Sequence, residues 1–127
     1  EPIPKLPALL QAHKIQKKAN RVGFDWDDSS GPLEKIQEEV NEFREAVTKE
    51  DKLCIEDEAG DLFFTLVNIC RKYDINPEEA LRKSNKKFIE RFKKMEALHK
   101  SDSFVDLSLD EKNELWEKAK TCGQKTL

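Results

Sequence analysis

The chain has 127 residues, a length that suits one domain with an ordinary hydrophobic core. Its net charge of -3 gives no reason to expect binding to nucleic acid, and its longest apolar stretch, residues 62–70, is too short to span a membrane. Three cysteines without the spacing of a metal site favour a reducing, cytoplasmic environment over a disulfide scaffold. Because 39% of the residues are charged and few are glycine or proline, the composition predicts a helical protein with solvated outer faces.

The first predicted helix covers residues 8–22, where apolar residues recur at helical spacing, and Gly23 is a plausible stop. A polar loop follows at residues 24–31. Its aspartates could bind a cation, although a polar turn is the simpler interpretation, and Trp26 is expected to anchor the loop to the core. The three aspartates are Asp25, Asp27 and Asp28.

The second predicted helix begins at Pro32, a residue favoured in the first turn. Glu39 borders its apolar stripe, and Glu42 lies further round the helix. An acidic face of this kind is common on solvated amphipathic helices, so this segment alone does not indicate a site. The apolar stripe consists of Leu33, Ile36, Val40, Phe43 and Val47.

The third helix is predicted from about Asp51 to Tyr73, and it is apolar almost all round between residues 62 and 70. This pattern is typical of a buried, central helix. A polar line nevertheless runs along it, and buried carboxylates without partners are costly. A cation or a polar cavity explains them best, with a salt bridge to a lysine as the competing explanation. The line consists of Glu58, Asp61, Thr65 and Asn68.

Two carboxylate pairs stand out because their members are three residues apart, on one face of a helix. The pairs are Glu39 with Glu42 and Glu58 with Asp61. If the second and third helices are antiparallel neighbours, the pairs can converge. Four clustered carboxylates raise one another's pKa values unless cations neutralise them, and hard divalent cations such as Mg²⁺ suit oxygen ligands.

The fourth helix is predicted to open at Asn76, with Pro77 in its first turn, and to end near His99. It carries many basic residues, of which most should be surface charge and one or two could hold phosphates. After a linker at residues 101–107, a capping box at 108–111 starts a short fifth helix. Trp116 in that helix either seals the bundle or stacks on a base. The basic residues are Arg82, Lys83, Lys86, Lys87, Arg91, Lys93 and Lys94.

The pattern E-E-x-x-E followed by E-x-x-D, on consecutive helices, is the signature of the all-α nucleoside triphosphate pyrophosphohydrolases. Over nearly its whole length the chain resembles the MazG family, and in particular the C-terminal of its two tandem domains. The resemblance implies an all-α bundle of about five helices, completed by dimerisation. It also implies that residues 1–127 form a single domain, expected to be a fragment of a longer two-domain chain. The matching stretches are LPALLQAHKIQKKANRVGFDW (6–26), KIQEEVNEF (35–43), EDEAGDLFFTLVNICRKY (56–73), EALRKSNKKFIERF (79–92) and ELWEKAK (114–120).

The resemblance also implies a set of site residues. Mg²⁺, with Mn²⁺ as a possible substitute, would be bound by Glu39, Glu42, Glu58 and Asp61. The nucleotide would be bordered by Lys35, Glu38, Asp61, Lys87, Arg91 and Trp116, with Lys87 and Arg91 on the phosphates and Trp116 near the base. In some relatives a lysine just ahead of E-x-x-D also meets the nucleotide. Here Cys54 stands at about that position, with Lys52 two residues earlier, so the chain departs from the family pattern at this contact.

The implied reaction is Mg²⁺-dependent hydrolysis of an NTP or dNTP, by a homodimer, to the monophosphate and pyrophosphate. Glu38 and Glu39 are the predicted catalytic residues. Glu38 would orient or deprotonate the attacking water, and a solvated glutamate is the alternative for it. Two other functions stay open at this point. One is a non-catalytic nucleotide-binding or dimerisation module of a larger protein, and the other is a purely structural helical bundle.

Overall fold

The computed structural model describes residues 5–25, 31–99 and 104–122. Within these ranges it contains five α-helices and one 3-10 turn, and no strand. The predicted all-α class is therefore confirmed, and α1, α3 and α4 begin and end within one or two residues of their predicted bounds. Residues 26–30 of the polar loop, which include Trp26, Asp27 and Asp28, lie outside the described ranges. The helices are α1 (Ala8–Arg21), α2 (Pro32–Thr48), α3 (Lys52–Lys72), α4 (Pro77–Leu98) and α5 (Leu109–Cys122), and the 3-10 turn is Phe104–Asp106.

Short polar side chains define several helix ends. The Asn76 side-chain oxygen accepts the backbone N–H groups of Glu78 and Glu79, which opens α4 as predicted. Before α5, the Ser108 hydroxyl accepts the N–H of Glu111, and the Glu111 carboxylate accepts the N–H of Ser108, both at 3.1 Å. These local contacts explain why the helix starts were predictable from sequence.

The chain divides into two compact units, Glu1–Ala80 and Leu81–Leu127. In the first unit, α3 packs against both α2 and α1. Gln16 of α1 is only 1% exposed and donates its side-chain N–H to the Phe64 carbonyl at 2.9 Å. Val67 is buried beside Thr65 and Asn68. The first unit is therefore a three-helix assembly with α3 as its shared element.

The prediction that α3 is buried almost all round is wrong for one face. Phe63 is 59% exposed, and Leu66 and Tyr73 are also exposed. The reason is geometric, because α1 and α2 cover only part of the circumference of α3 and leave this side open. The exposed apolar residues recur at helical spacing, so together they form a stripe along α3, which we call the α3 apolar stripe (Phe63, Leu66 and Tyr73).

The second unit is organised around aromatic side chains of α4, the 3-10 turn and α5. The rings of Phe92 and Phe104 meet edge to face at 5.7 Å, and those of Phe88 and Trp116 lie 5.4 Å apart. Met95 and Ala119 are buried within this unit. The segment predicted as a linker contains the 3-10 turn, which thus contributes Phe104 to the packing. No helix in the described ranges has the length and apolar character needed to cross a membrane.

Candidate functional site

Three carboxylates from α2 and α3 meet at one place. Glu39, Glu58 and Asp61 each place one carboxylate oxygen within 4.8 Å of the others. Glu39 and Glu58 are half-buried, whereas Asp61 is exposed. Only three residues join α2 to α3, and the two helices pack along each other. Glu39 on α2 therefore lies opposite Glu58 and Asp61 on α3. We call this group the carboxylate cluster (Glu39, Glu58 and Asp61).

Glu42, the fourth predicted ligand, lies beside the carboxylate cluster but not in the group of three. Its charge raises the pKa values of both Glu39 and Glu58. Neighbouring carboxylates of this kind repel each other unless one of them holds a proton or a cation lies between them. The structure therefore brings three of the four predicted ligands together, with the fourth next to them.

The electrostatics of the carboxylate cluster disfavour full ionisation. Burial raises the pKa of Glu39, Glu42 raises it further, and Lys35 offsets part of the shift. For Glu58, burial is again the largest cause of a raised pKa, followed by the charges of Glu42 and Asp61. Desolvation and like charges act in the same direction at both positions, so the folded chain holds these carboxylates at a cost in free energy.

Two buried oxygens in the carboxylate cluster have no hydrogen-bond partner among the described residues. They are Oε2 of Glu39 and Oε2 of Glu58. Buried polar atoms are nearly always satisfied in folded proteins, so these two indicate a missing partner. A hard divalent cation fits, because it binds carboxylate oxygens and cancels their repulsion. The alternative explanation, a salt bridge to a lysine, is not favoured, since the described lysine whose charge acts on Glu39 pairs elsewhere.

That lysine is Lys35, whose ammonium lies 3.4 Å from Glu38 on the next turn of α2. Both side chains are more than a third exposed, so this ion pair contributes little to stability. The Glu38 charge nevertheless contributes to the raised pKa of Glu39. Glu38 therefore lies close to the carboxylate cluster on its solvent side, where its carboxylate is accessible to a bound molecule.

An open groove of about 440 Å³ extends from the carboxylate cluster toward the start of α3. It is lined by Leu53, Glu56, Asp57, Gly60 and Asp61. Near this groove, the exposed Cys54 donates its thiol to the N-cap residue Asp51 at 3.3 Å. That hydrogen bond is the largest cause of the raised pKa of Cys54. The side chain at this position is therefore a neutral thiol and offers no positive charge.

The second unit holds three further predicted residues. Arg91 of α4 places its guanidinium 5.7 Å from the centre of the Trp116 ring, which also packs against Phe88. Lys87 lies one turn earlier on α4 and is exposed. Arg91 and Trp116, which the sequence placed on separate helices without a predicted contact, are therefore direct neighbours.

A polar network at the C-terminal end of α3 was not foreseen. Arg71 donates to Asp25 at 2.6 Å and to Asn68 at 2.7 Å, and Lys72 also lies 3.8 Å from Asp25. Asp25, one of three aspartates considered as cation ligands, thus takes part in ion pairs. Burial lowers the pKa of His13, and the charges of Lys17 and Arg71 lower it further. The sequence signal for this network is polar Asn68 within the apolar stretch of α3.

The chain is similar to known proteins over most of its length. A family model described as the MazG nucleotide pyrophosphohydrolase domain matches residues 29–96. The nucleoside triphosphate pyrophosphohydrolase/pyrophosphatase MazG of Thermotoga maritima is 49% identical over 119 residues, which cover 92% of this chain and 46% of that protein. The nucleoside triphosphate pyrophosphohydrolase of Escherichia coli K12 is 38% identical over 121 residues, covering 91% and 45%. The chain spans about half the length of these curated relatives.

Proposed function

The chain belongs to the MazG nucleotide pyrophosphohydrolase domain family, and we propose on this premise that it hydrolyses nucleoside triphosphates. The substrate would be an NTP or dNTP, and the products would be the nucleoside monophosphate and pyrophosphate. The observation that carries this proposal is the carboxylate cluster, whose two unpartnered buried oxygens call for a cation. Relatives named for this activity support it.

The proposed cofactor is Mg²⁺, with Mn²⁺ as a substitute, because both are hard cations that carboxylate oxygens bind. Glu39, Glu58 and Asp61 would hold it, and Glu42 would complete the ligand set from its place beside them. When bound, such a cation supplies positive charge that polarises phosphoryl oxygens and acidifies water. Its presence would also remove the repulsion that raises the pKa values of Glu39 and Glu58.

The other roles in the proposed reaction belong to side chains of the protein itself. We propose that Glu38, exposed beside Glu39, orients the attacking water and accepts its proton. The water oxygen would then bond to the α-phosphorus while the bond from that phosphorus to the bridging oxygen breaks and pyrophosphate leaves. Lys35, once released from Glu38, would contact the nucleotide. In the second unit, Lys87 and Arg91 would neutralise phosphate charge, and Trp116 would border the nucleotide.

We also propose that the chain forms a homodimer through the α3 apolar stripe. Its three large side chains are exposed in the single chain, and contiguous apolar surface of this kind commonly marks an interface. Light scattering coupled to size-exclusion chromatography measures the mass directly. A monomer at all accessible concentrations would contradict the proposal.

The reaction is tested by incubating the chain with a panel of NTPs and dNTPs, with and without Mg²⁺ or Mn²⁺, and separating the products. Monophosphate and pyrophosphate should form only with metal, and Glu39→Ala and Asp61→Ala should abolish turnover while preserving the helical circular dichroism spectrum. Glu45→Ala is the matched control, an exposed glutamate on α2 outside the carboxylate cluster. Formation of diphosphate would show a different cleavage position. Metal-dependent nucleotide binding without turnover would indicate a binding module instead.

A further inference from the structure

Helix α1 carries a strongly basic surface on its outer side. The helix contains four basic side chains and no acidic one. Three of the four are exposed, and at about 3.6 residues per turn they lie between about 100° and 160° round the helix from the buried Gln16. They therefore point away from the side of α1 that contacts α3. We call this group the α1 basic ridge (Lys14, Lys17 and Arg21).

The positive charges of the α1 basic ridge are not neutralised nearby. Within the described part of the chain, none of its three side chains makes an ion pair. Burial is the largest cause of the lowered pKa of His13, and the charges of Lys17, Arg71 and Lys14 lower it further. The charges that act on His13 are thus all positive. Like charges held together on one surface cost free energy, which an anionic partner would recover.

The net charge of the whole chain conceals this surface. Helix α2 carries five glutamates and two basic residues, whereas α1 carries only basic ones. The total of -3, from which no binding to nucleic acid was expected, averages over this separation of charge. A partner meets one face of a protein at a time, so the local charge of α1 decides what binds there.

The chemistry of the α1 basic ridge favours a phosphodiester chain over a protein or a membrane as its partner. Between residues 14 and 21, only basic side chains occupy this side of α1. The core of a protein interface and the buried face of a membrane-bound helix both need apolar side chains, which this side lacks. Phosphate groups, in contrast, are bound by lysine and arginine alone.

The ridge has the length of a short piece of one strand and ends beside an exposed ring. From Lys14 to Arg21 the helix rises about 10 Å, the length of about three nucleotides of a strand in duplex geometry. Phe24 follows, 69% exposed, and its N–H donates to the Ala19 carbonyl at 3.0 Å. An exposed aromatic ring can stack on a base of a single strand, whereas the bases of a duplex are already stacked on each other.

We infer that the α1 basic ridge binds the phosphodiester backbone of a single-stranded nucleic acid, with Phe24 stacking on one of its bases. This site goes beyond the proposed function, because α1 carries none of the residues assigned to the reaction. Binding should therefore need no divalent cation. RNA and DNA share the backbone chemistry, so the experiment includes both.

The test measures the fluorescence anisotropy of labelled oligouridine and oligothymidine of about 12 nucleotides, enough for one site. Both have a 5′-hydroxyl end, and EDTA keeps the carboxylate cluster free of metal. Three backbone contacts predict a slope of about -2 for the logarithm of affinity against that of salt concentration. Lys14→Glu/Lys17→Glu/Arg21→Glu should weaken binding about tenfold or more, and the corresponding triple glutamine variant should bring the slope close to zero. Phe24→Ala should weaken binding about fivefold and leave the slope unchanged.

A second charge-reversal variant is the matched control. Lys83→Glu/Lys86→Glu/Lys94→Glu changes the net charge by the same amount, at three exposed positions of α4. Each of these lysines lies four residues from Glu79 or Glu90 on the helix, so its charge is partly balanced. This control should bind both oligonucleotides like the wild-type chain. Circular dichroism should show the same helical content for all variants.

Four results would overturn the inference. They are no binding by the wild-type chain, an equal loss of affinity in the α4 control, equally tight binding of a duplex, and equally tight binding of polyglutamate, which would indicate an acidic protein as the partner. Tighter binding of oligouridine than of oligothymidine would support the inference with RNA as the partner, and equal binding would support recognition of the backbone alone. A failure of the proposed function leaves all of these measurements unchanged, because they are made without metal and without nucleoside triphosphate.

Discussion

Replacing Glu39 with glutamine should have opposite effects on stability with and without metal. Two like charges within 4.8 Å of each other repel by at least about 1 kcal/mol in water-like surroundings and at least about 3 kcal/mol at an effective dielectric constant near 20. Glu39 takes part in two such pairs, one with Glu58 and one with Asp61. Because Asp61 is exposed and salt screens it, the lower value applies. Glu39→Gln should therefore stabilise the metal-free chain by about 1–2 kcal/mol.

Bound metal should reverse the order of stability of the wild-type chain and Glu39→Gln. A cation present at about a hundred times its dissociation constant adds about 2.7 kcal/mol to the stability of a chain that binds it only when folded. The wild-type chain should gain this stabilisation, whereas Glu39→Gln, which lacks one anionic ligand, should gain little or none. The wild-type chain would then be the more stable of the two by about 1 kcal/mol.

Thermal unfolding with EDTA and with saturating Mg²⁺ measures both differences, which correspond to shifts of a few degrees in Tm for a chain of this size. Glu45→Gln, on the same helix but outside the carboxylate cluster, should match the wild-type chain in both buffers. The reasoning would be refuted if Glu39→Gln were less stable than the wild-type chain in EDTA. Equal stabilisation of both chains by Mg²⁺ would also refute it.

Three further outcomes are expected. In metal-free protein, the free energy of unfolding should rise as the pH falls from 7 toward about 4.5, because the raised pKa values of Glu39 and Glu58 make the folded state bind protons more tightly than the unfolded state. Urea titrations should show a smaller rise for the double variant Glu39→Gln/Glu58→Gln. If the pH dependence of this variant were the same as that of the wild-type chain, the explanation would be contradicted. Asp51→Ala removes the side chain that accepts the N–H groups of Leu53 and Cys54 at the start of α3, and urea unfolding should show a loss of about 1 kcal/mol; no loss would mean that the cap is dispensable. Phe63→Ser on the α3 apolar stripe should yield a monomer by light scattering with a normal circular dichroism spectrum, whereas an intact dimer would exclude this face as the interface.

The helices were predictable because their signals are local. Apolar spacing and the Ser108–Glu111 capping box act over one or two turns, and the structure reproduces them. The exposure of Phe63 could not be predicted in the same way, because the local sequence does not show which element packs against an apolar residue. Whether α1, α2 or a second chain packs on a given face of α3 depends on tertiary geometry.

The candidate site could be predicted from the sequence to about the same extent as the fold. Spacing of three residues places Glu58 and Asp61 on one face of α3, and the short connection between α2 and α3 allows Glu39 to meet them. That Glu42 lies just outside the group depends on how the two helices pack against each other, which spacing does not specify. The contact between Arg91 and Trp116 joins two helices and likewise has no signal in the local sequence.

The central claim is that Glu39, Glu58 and Asp61 hold the divalent cation that the reaction requires. It is tested most directly by titrating the chain with Mn²⁺, following free Mn²⁺ by electron paramagnetic resonance and nucleotide turnover in the same samples. We expect turnover to rise in proportion to bound Mn²⁺, and both to be lost in Glu39→Gln and Asp61→Asn but retained in Glu45→Gln. Tight Mn²⁺ binding that survives in Glu39→Gln and Asp61→Asn, or turnover without any divalent cation, would contradict the claim.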